Sequence, residues 1–452
     1  MNFKKLAKIY QKQALVALEQ YIKVDSTYDE KTVDKNNPYG KKVSKGLAYF
    51  EKLGRDNGFK TKNYGNRVVE LTYGDEGPLI GIYGHTDVVP ATGKWTYSPF
   101  SGTYKDGVVY GRGAIDDKGP MVAAFYAVKL LKDNNLIKGY RVKIVSGGDE
   151  ERGSSCLNSY FHEYKGETPK YGFTPDADWP LIYGEKGMGT YIGTRVIDLS
   201  PVIALEGGEV FNQVCDNVLV TLKKYKKFED YAVKEGNVDN LSNDAVTILR
   251  FKGKSAHGST PEKGVNAIAI CFNAIGTFYK VEDLVTLGNI IKSSDGAYFG
   301  SNATSPELGS STFNYGKVSY DGKVLKLGLD YRYGETVDPK DAINKLNVKS
   351  KMSFTLLSGH EHLLFDKNSP LVKLLMKAYK RETLDLFAKP FTIGGGTYAK
   401  EAKNTVAFGA CFAKRGGNNM HSPDEFMHAE DLLKDIAIYA RAVYLLGKDC
   451  AK

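Results

Sequence analysis

Long apolar runs are missing from this sequence. None approaches the roughly 20 consecutive residues that cross a bilayer, so we expect no membrane span. Residues 1–22 carry charged or polar side chains every few positions. They therefore predict an amphipathic helix and not the apolar core of a signal peptide. With no export signal, we expect a cytoplasmic protein.

Cysteine is scarce, and basic residues form no cluster. The five cysteines are odd in number, widely separated and without a CxxC pair. We therefore expect neither a disulfide framework nor a thiolate zinc site. The formal net charge is +9, but no run of five or six basic residues occurs. We therefore predict a solvated basic surface and no nucleic-acid partner.

The 452 residues exceed what one compact core accommodates, so two domains are expected. The first half alternates short apolar runs with helical patterns, which is typical of an α/β sheet covered by helices. Residues 78–84 predict a strand buried on both faces that ends at His85, and residues 140–145 predict a second strand. Between them, Pro120 is expected to open an amphipathic helix. Near the end of the chain, residues 405–412 predict another strand.

The stretch from about residue 190 to 365 has a different pattern. Alternating segments at 246–251 and 326–333 predict an antiparallel sheet with one face open to water. A helix is expected after Pro261. Candidate metal ligands lie on both sides of this stretch, so the chain must return to the first domain. We predict a catalytic domain at 1–189 and 366–452, with an α+β domain inserted at 190–365.

Acidic and histidine side chains cluster where the predicted strands end. In open α/β sheets, ligands collect beyond the carboxyl ends of the strands, and converging carboxylates repel one another unless cations lie between them. Imidazole and carboxylate ligands together suit zinc or manganese. The candidates are His85, Asp87, Asp116, Asp117, Asp149, Glu150, Glu151, Asp176 and His421.

Each of these motifs alone has an ordinary structural explanation. A single HxD is usually a turn or a hydrogen-bonded histidine, DEE is most often a solvated turn, and three glycines form a flexible turn. GRGAIDD resembles half of a dinucleotide fingerprint, but no strand runs directly into it with a helix starting on its last glycine, so phosphate binding is not expected. Only the combination favours a metal centre.

In combination, the motifs resemble those of the M20 metallopeptidases. Seven segments occur in the family's order between about residues 75 and 430, and they look most like the PepV-type bacterial dipeptidases. The chain departs from the family's pattern at Cys215, where a small residue or proline is common. The segments are GHTDVVP, GRGAIDDKGP, GGDEERGSS, PDADWPLIYGEKG, GKSAHGSTPEKGVNA, GGGTYAK and MHSPDEF.

The resemblance implies a zinc-peptidase-like catalytic domain, a mixed sheet with helices on both faces, interrupted by a lid domain. It also implies two divalent metal ions, with zinc the first choice and manganese or cobalt as alternatives. Asp116 would bridge the ions. His85 and Asp176 would complete one site, and Glu151 and His421 the other. An open position for water distinguishes such a site from a structural one.

The family's remaining catalytic and substrate positions also carry over by resemblance. Glu150 would act as general base on a metal-bound water, and Asp87 would orient the imidazole of His85. A lid histidine, here His257, would stabilise the oxyanion. The implied substrate contacts come from a side-chain amide, an arginine fork for a terminal carboxylate, and a glycine-rich turn from 394 to 397. They are Asn212, Arg332, Gly395 and Thr397.

The expected activity is therefore hydrolysis of dipeptides. In a longer peptide the terminal carboxylate would lie beyond the arginine, which would then have no free carboxylate to bind. An N-acyl amino-acid deacylase or desuccinylase with the same metals is the alternative within hydrolysis. A catalytically silent scaffold on the same fold is the alternative of another class, although all five ligands and Glu150 are present. The long inserted region resembles that of the PepV type, and this resemblance implies a monomer in which His257 serves its own chain.

Overall fold

The computed structural model describes residues 1–234, 236–412 and 417–451. The chain divides into two compact units. Unit 1 comprises Met1–Tyr183, Phe365–Phe391 and Gly396–Lys452, and unit 2 comprises Gly184–Leu364 and Thr392–Gly395. Unit 2 thus interrupts the sequence of unit 1, so the chain leaves unit 1 and returns to it.

The described ranges contain ten α-helices. Most have an apolar stripe that is buried and a polar face that is not, as helices at the surface of a core do. They are α1 (Phe3–Ile22), α2 (Lys41–Asp56), α3 (Lys118–Asp133), α4 (Ser155–Asn158), α5 (Lys226–Lys234), α6 (Ala267–Tyr279), α7 (Glu282–Lys292), α8 (Pro339–Ser350), α9 (Pro370–Thr383) and α10 (Ala429–Cys450).

The strands of the first half of the chain are mostly short. They are β1 (Lys60–Tyr64), β2 (Val68–Tyr73), β3 (Leu79–His85), β4 (Thr103–Lys105), β5 (Val108–Tyr110), β6 (Arg141–Gly147), β7 (Tyr171–Thr174), β8 (Ala177–Asp178), β9 (Ile182–Glu185), β10 (Gly187–Val196), β11 (Val202–Gly207) and β12 (Asn217–Lys223).

The strands of the second half follow in chain order. They are β13 (Val238–Asn240), β14 (Val246–Lys252), β15 (Thr304–Ser305), β16 (Gly309–Ser310), β17 (Thr312–Tyr320), β18 (Val324–Tyr333), β19 (Ser353–His360), β20 (Leu363–Leu364), β21 (Phe391–Ile393), β22 (Thr405–Ala407), β23 (Ala410–Cys411) and β24 (Phe426–His428).

The main sheet of unit 1 is mixed. Its strands run in the order β1, β2, β6, β3, β7, β22 and then β9, within which the chain passes into unit 2. The central strands β6, β3, β7 and β22 are parallel to their neighbours in this group, so their carboxyl ends lie at one edge of the sheet. Every residue of β3 is buried, as its unbroken apolar pattern predicts.

Helices pack against this sheet and against one another. α2 contacts β1, β2 and β6, α3 contacts β3 and β6, and α1, α3 and α10 pack together. α3 begins at Lys118, two residues before the expected start at Pro120. Proline tolerates this position because the first turn of a helix leaves its N–H groups without intrahelical partners. The loop before α3 therefore ends at Asp117.

Unit 2 contains an eight-stranded sheet in the order β13, β14, β12, β11, β17, β18, β10 and β19. The strand pairs among its described residues are antiparallel, which confirms the expectation from alternating residues. On β12 the buried side chains occupy alternate positions. Apolar residues of α6 and α7 join those of the sheet in a single core, with Phe272 and Leu287 almost completely buried.

The expected α/β class with an inserted α+β unit is confirmed, but some elements differ. The single strand expected at 405–412 is two strands, β22 and β23, because the backbone turns at Gly409 with φ +75°. Pro261 opens only a short 3₁₀ turn, and the α-helix starts later, at Ala267. Among the described residues, no helix combines the length and apolar character required to traverse a bilayer.

Candidate active site

His85 is the last residue of β3 and is completely buried. It pairs in register with Gly147 at the end of β6, so the loop that follows β6 starts beside it. The backbone N–H of His85 donates to the Asp117 carboxylate at 3.0 Å. The end of the strand and the loop before α3 are thereby held together.

Asp116 lies between two histidines that are 336 residues apart in sequence. Its Oδ1 is 3.0 Å from Nε2 of His85, and its Oδ2 is 2.7 Å from Nε2 of His421. The carboxylate is buried, whereas the His421 side chain is about half exposed. Each oxygen of the Asp116 carboxylate thus lies beside a different imidazole. This is the arrangement expected of a carboxylate that bridges two cations.

The loops after β6 and β7 bring further carboxylates to the same edge of the sheet. Glu151 Oε1 is 3.2 Å from Nε2 of His421, and Asp176 Oδ2 is 3.6 Å from Nε2 of His85. Ligand atoms of His85, Asp116 and Glu151 lie within 4.8 Å of one another, and so do those of His85, Glu150 and Asp176. Among the described residues, these are the two groups with the spacing of a metal site.

Asp87 contacts both the histidine and the acidic loop. Its backbone carbonyl is 2.9 Å from Nδ1 of His85, closer than its carboxylate at 3.4 Å. Its two carboxylate oxygens each accept a backbone N–H at 3.1 Å, one from Glu150 and one from Glu151. Asp87 therefore fixes the imidazole orientation and the backbone that carries both glutamates.

The carboxylates perturb one another strongly. Burial, and then the charge of Asp116, raise the pKa of Glu151 to about 7. Burial, followed by neighbouring acids, also raises the pKa of Glu150 and of Asp176. The close approach of the Asp116 and Glu151 carboxylates to the His421 imidazole raises the pKa of His421 to about 10. Without cations between them, Glu150, Glu151 and Asp176 therefore bind protons more readily than isolated carboxylates do.

The same residues fit a pair of divalent cations. Glu151 Oε1 is buried and makes no hydrogen bond among the described residues, although His421 lies close to it. Unsatisfied carboxylate oxygens and imidazole nitrogens are the ligands that zinc and manganese accept. Cations at this position would relieve the repulsion and complete the coordination of the orphaned oxygen.

Arg332 lies in unit 2, on β18, with a buried guanidinium. Its Nε and Nη2 donate to Oδ2 of Asp330 at 3.1 and 2.9 Å, and its Nη1 donates to the carbonyl of Gly394 at 2.6 Å. Residues two apart on a strand point to the same face, so Asp330 could have been found from sequence. Described residues accept three of the five N–H groups of this guanidinium, and the other two have no partner among them.

The other predicted substrate residues are divided between the units. His257 and Asn212 are exposed in unit 2 on neighbouring loops, where Gly258 N–H donates to the carbonyl of Asn212 at 2.7 Å. Nδ1 of His257 is 2.7 Å from the Ser259 hydroxyl. Burial and the Arg332 charge lower the pKa of His257.

The glycine-rich turn crosses the boundary between the units. Gly395 belongs to unit 2 and Thr397 to unit 1. The hydroxyl of Thr397 accepts the N–H of Ala399 and so caps a short 3₁₀ turn. The catalytic and substrate roles of all these residues stay predictions.

Sequence reasoning missed two charged residues beside Asp116. Arg112 and Glu425 form an almost completely buried ion pair, with Nη1 of Arg112 2.6 Å from Oε2 of Glu425. Both lie inside motifs already singled out, GRGAIDD and MHSPDEF, but no local pattern pairs residues so distant in sequence.

Relatives match almost the whole chain. A Staphylococcus epidermidis protein named "Putative dipeptidase" is 31% identical over 97% of this chain and 97% of its own length. The Bacillus subtilis protein "Putative dipeptidase YtjP" is 33% identical over 95% of this chain and 96% of its own.

Solved structures share the fold. The yeast di-peptidase Dug1p matches with a TM-score of 0.60 at 14% identity, over 99% of this chain and 98% of its own. Human carnosine dipeptidase 1 matches with a TM-score of 0.58 at 14% identity and the same coverage. The M20 metallo-carboxypeptidase Sso-CP2 from Sulfolobus solfataricus reaches 0.60 at 18% identity, over 96% and 99%. At these identities the likeness establishes the fold alone.

The model of peptidase family M20/M25/M40 matches residues 81–445, which is most of the chain. The matched range begins inside β3 and ends inside α10, so it includes every loop that contributes to the acidic cluster. The resemblance noted in the motifs is thereby confirmed, and this chain belongs to the M20/M25/M40 peptidase family.

Proposed function

We propose that this protein is a two-metal-dependent dipeptidase. The observation that carries the proposal is the contact of Asp116 with both His85 and His421, surrounded by further carboxylates. The names of the relatives at 31 and 33% identity support dipeptides as the substrate class. Family membership supports peptide-bond hydrolysis as the reaction.

The contacts support one assignment of ligands. Asp116 is proposed to bridge the two cations, because each of its oxygens faces a different histidine. His85 with Asp176, and His421 with Glu151, are then the pairs that complete the two sites. When bound, divalent cations supply Lewis acidity, which polarises a carbonyl and makes a water molecule more acidic.

Glu150 is proposed as the general base. Its ligand atom lies within 4.8 Å of those of His85 and Asp176, so its carboxylate reaches the space beside the proposed metal ligands. From there it can take a proton from the attacking water and return it to the departing amine. Asp87 holds the Glu150 backbone N–H and so limits the positions that this carboxylate samples.

Residues of unit 2 are proposed to recognise the substrate. The two N–H groups of Arg332 that remain suit a terminal carboxylate, which would select short peptides with a free carboxyl end. His257 is proposed to donate a hydrogen bond to the oxyanion, with Asn212 and Gly395 of unit 2 and Thr397 of unit 1 as further substrate contacts. These assignments extend the resemblance residue by residue.

A substrate panel with defined metals tests the proposal. Purified protein, freed of metal and then loaded with zinc, manganese or cobalt, is assayed on free dipeptides, tripeptides and N-acetyl or N-succinyl amino acids. The proposal expects turnover of dipeptides in preference to both other classes. Preferential hydrolysis of N-acylated amino acids would replace the proposed activity with a deacylase.

Three finer expectations belong to the same proposal. Zinc is the proposed physiological ion, with manganese and cobalt as substitutes that the same ligands accept. The monomeric state and the cytoplasmic location are carried over from the sequence. Light scattering, metal analysis of protein purified from its own cell, and fractionation of that cell test them separately.

A further inference from the structure

The Arg112–Glu425 pair is buried beside the acidic cluster without belonging to it. The exposed fractions of the two side chains are 1% and 0%. Arg112 Nε is buried and makes no hydrogen bond among the described residues, while the Trp95 ring lies 5.1 Å from the guanidinium. A buried ion pair that is incompletely hydrogen-bonded contributes little net stability, because desolvation offsets its attraction. Its presence requires another explanation.

Glu425 connects to the backbone of the Asp116 loop. Its Oε1 accepts the N–H of Ile115 at 3.0 Å and the N–H of Asp116 at 3.2 Å, while Oε2 accepts from Arg112. The Glu425 carbonyl also accepts the N–H of Gly111 at 2.9 Å. Through its carboxylate and its backbone carbonyl, Glu425 therefore accepts hydrogen bonds from three backbone N–H groups and one side chain of residues 111–116.

Glu425 also ends the loop that carries His421. The next residue, Phe426, starts β24, which pairs with β5, and β5 ends at Tyr110, two residues before Arg112. Phe426 N–H donates to the carbonyl of Asn418 at 3.0 Å, closing the loop around His421. His421 itself has a left-handed backbone, with φ +58°, and a half-exposed side chain. Its own packing therefore does little to hold the imidazole in place.

We propose that the Arg112–Glu425 ion pair is a positioning unit that fixes the Asp116 loop against the His421 loop and so sets the affinity of the site for divalent cations. The inference rests on the proposed function, since it concerns the same cations. Neither residue is a ligand: Arg112 holds Glu425, and Glu425 holds the backbone of Asp116. Changing such supporting groups typically weakens metal binding by about 10–100-fold.

The test compares cation binding by metal-free wild type and Glu425→Gln. Calorimetric titration with Zn²⁺, and the visible absorption of Co²⁺-loaded protein, report the site without an activity assay. Glutamine keeps the shape and an acceptor oxygen but removes the charge that holds Arg112. We expect Glu425→Gln to have a roughly 10–100-fold larger dissociation constant for Zn²⁺ and a changed Co²⁺ spectrum. In activity assays, kcat should fall more than KM changes.

Glu382→Gln is the matched control. Glu382 is a buried carboxylate of unit 1 that is ion-paired with Arg441, and the pair joins α9 to α10. This variant should lose thermal stability but keep wild-type affinity for Zn²⁺ and the wild-type Co²⁺ spectrum. An equal loss of affinity in both variants would overturn the proposal, because general destabilisation would then explain it.

The double variant Arg112→Met/Glu425→Gln separates positioning from folding. It leaves no buried unpaired charge, so it should be more stable than Glu425→Gln alone. Its cation affinity should nevertheless stay low. Wild-type affinity in Glu425→Gln or in the double variant would refute the positioning role. Failure of the wild type to bind any cation would instead refute the proposed function, so the two failures are distinguishable.

Discussion

The carboxylate of Asp87 accepts a hydrogen bond from the backbone amide of Glu150 at 3.1 Å. A parallel bond of the same length runs from Glu151 to the other carboxylate oxygen. Since the carbonyl of Asp87 also faces Nδ1 of His85, one residue ties the end of β3 to the acidic loop after β6. The geometry of the proposed base thus depends on a side chain that is not among the proposed metal ligands.

Replacing Asp87 should therefore impair catalysis through positioning. We expect Asp87→Ala to lower kcat/KM by about 10–100-fold, because both glutamates lose the acceptor that holds their backbone. Steady-state kinetics on the preferred dipeptide measures the effect. Asp87→Asn keeps one acceptor oxygen and should lose less. Equal activity of Asp87→Ala and wild type would contradict this account.

Glu150→Gln should separate metal binding from proton transfer. Glutamine has nearly the same shape as glutamate but cannot accept a proton at neutral pH, so kcat should fall by roughly 10²–10⁴-fold. Because Glu150 is not among the proposed ligands, metal content should be unchanged. Glu151→Gln is the matched comparison and should lose metal as well as activity. A Glu150→Gln variant with substantial kcat would exclude this residue as the base.

How far the sequence predicted this site depends on the range of each contact. The unbroken apolar pattern of β3 predicted that the strand ends at His85. The order of the motifs predicted that the ligands meet at one edge of the sheet, where the structure has them. The Arg112–Glu425 pair escaped prediction because its members are 313 residues apart and lie in motifs with other expected roles. Asp330 was missed despite a local signal, its two-residue spacing from Arg332 on a strand.

The break between β22 and β23 shows another limit of the sequence. Residues 405–412 have a composition compatible with one strand, and only the positive φ of Gly409 interrupts it. A glycine inside an apolar run is compatible with a bulge, a turn or a continued strand. Tertiary packing decides among them: the Trp179 ring lies where a Cβ of Gly409 would be, so a larger residue does not fit there.

Arg332→Lys should alter selectivity for the substrate carboxyl end. Lysine keeps a positive charge opposite Asp330 but lacks the planar fork that binds a carboxylate through two N–H groups. We expect a loss of about 10-fold or more in kcat/KM for free dipeptides, with a much smaller change for dipeptide amides. The ratio of the two rates is the measurement. An unchanged ratio would remove Arg332 from carboxylate recognition.

Glu229 makes the stability of unit 2 depend on pH. Burial alone would raise its pKa, but hydrogen bonds from Lys224, Thr247 and Asn240 lower the pKa from 4.5 to about 2. The carboxylate therefore stabilises the fold fully above pH 4.5, and this contribution is lost as pH falls towards 2.

The check is denaturant unfolding of metal-free protein between pH 6 and pH 3. Wild type should lose more free energy of unfolding across this range than Glu229→Gln, which has no such proton to gain. Glu206→Gln, on an exposed position of β11, is the control and should follow wild type. The same pH dependence in Glu229→Gln and wild type would show that this carboxylate does not contribute.

The central claim is that Asp116 joins two cations, and metal stoichiometry tests it most directly. Metal-free protein is equilibrated with Zn²⁺, separated from free ion by gel filtration and analysed by inductively coupled plasma mass spectrometry. We predict two equivalents per chain for wild type and fewer than one for Asp116→Ala, since both sites lose their shared ligand. Wild type that retains no zinc, or an Asp116→Ala variant that still retains two equivalents, would contradict the account.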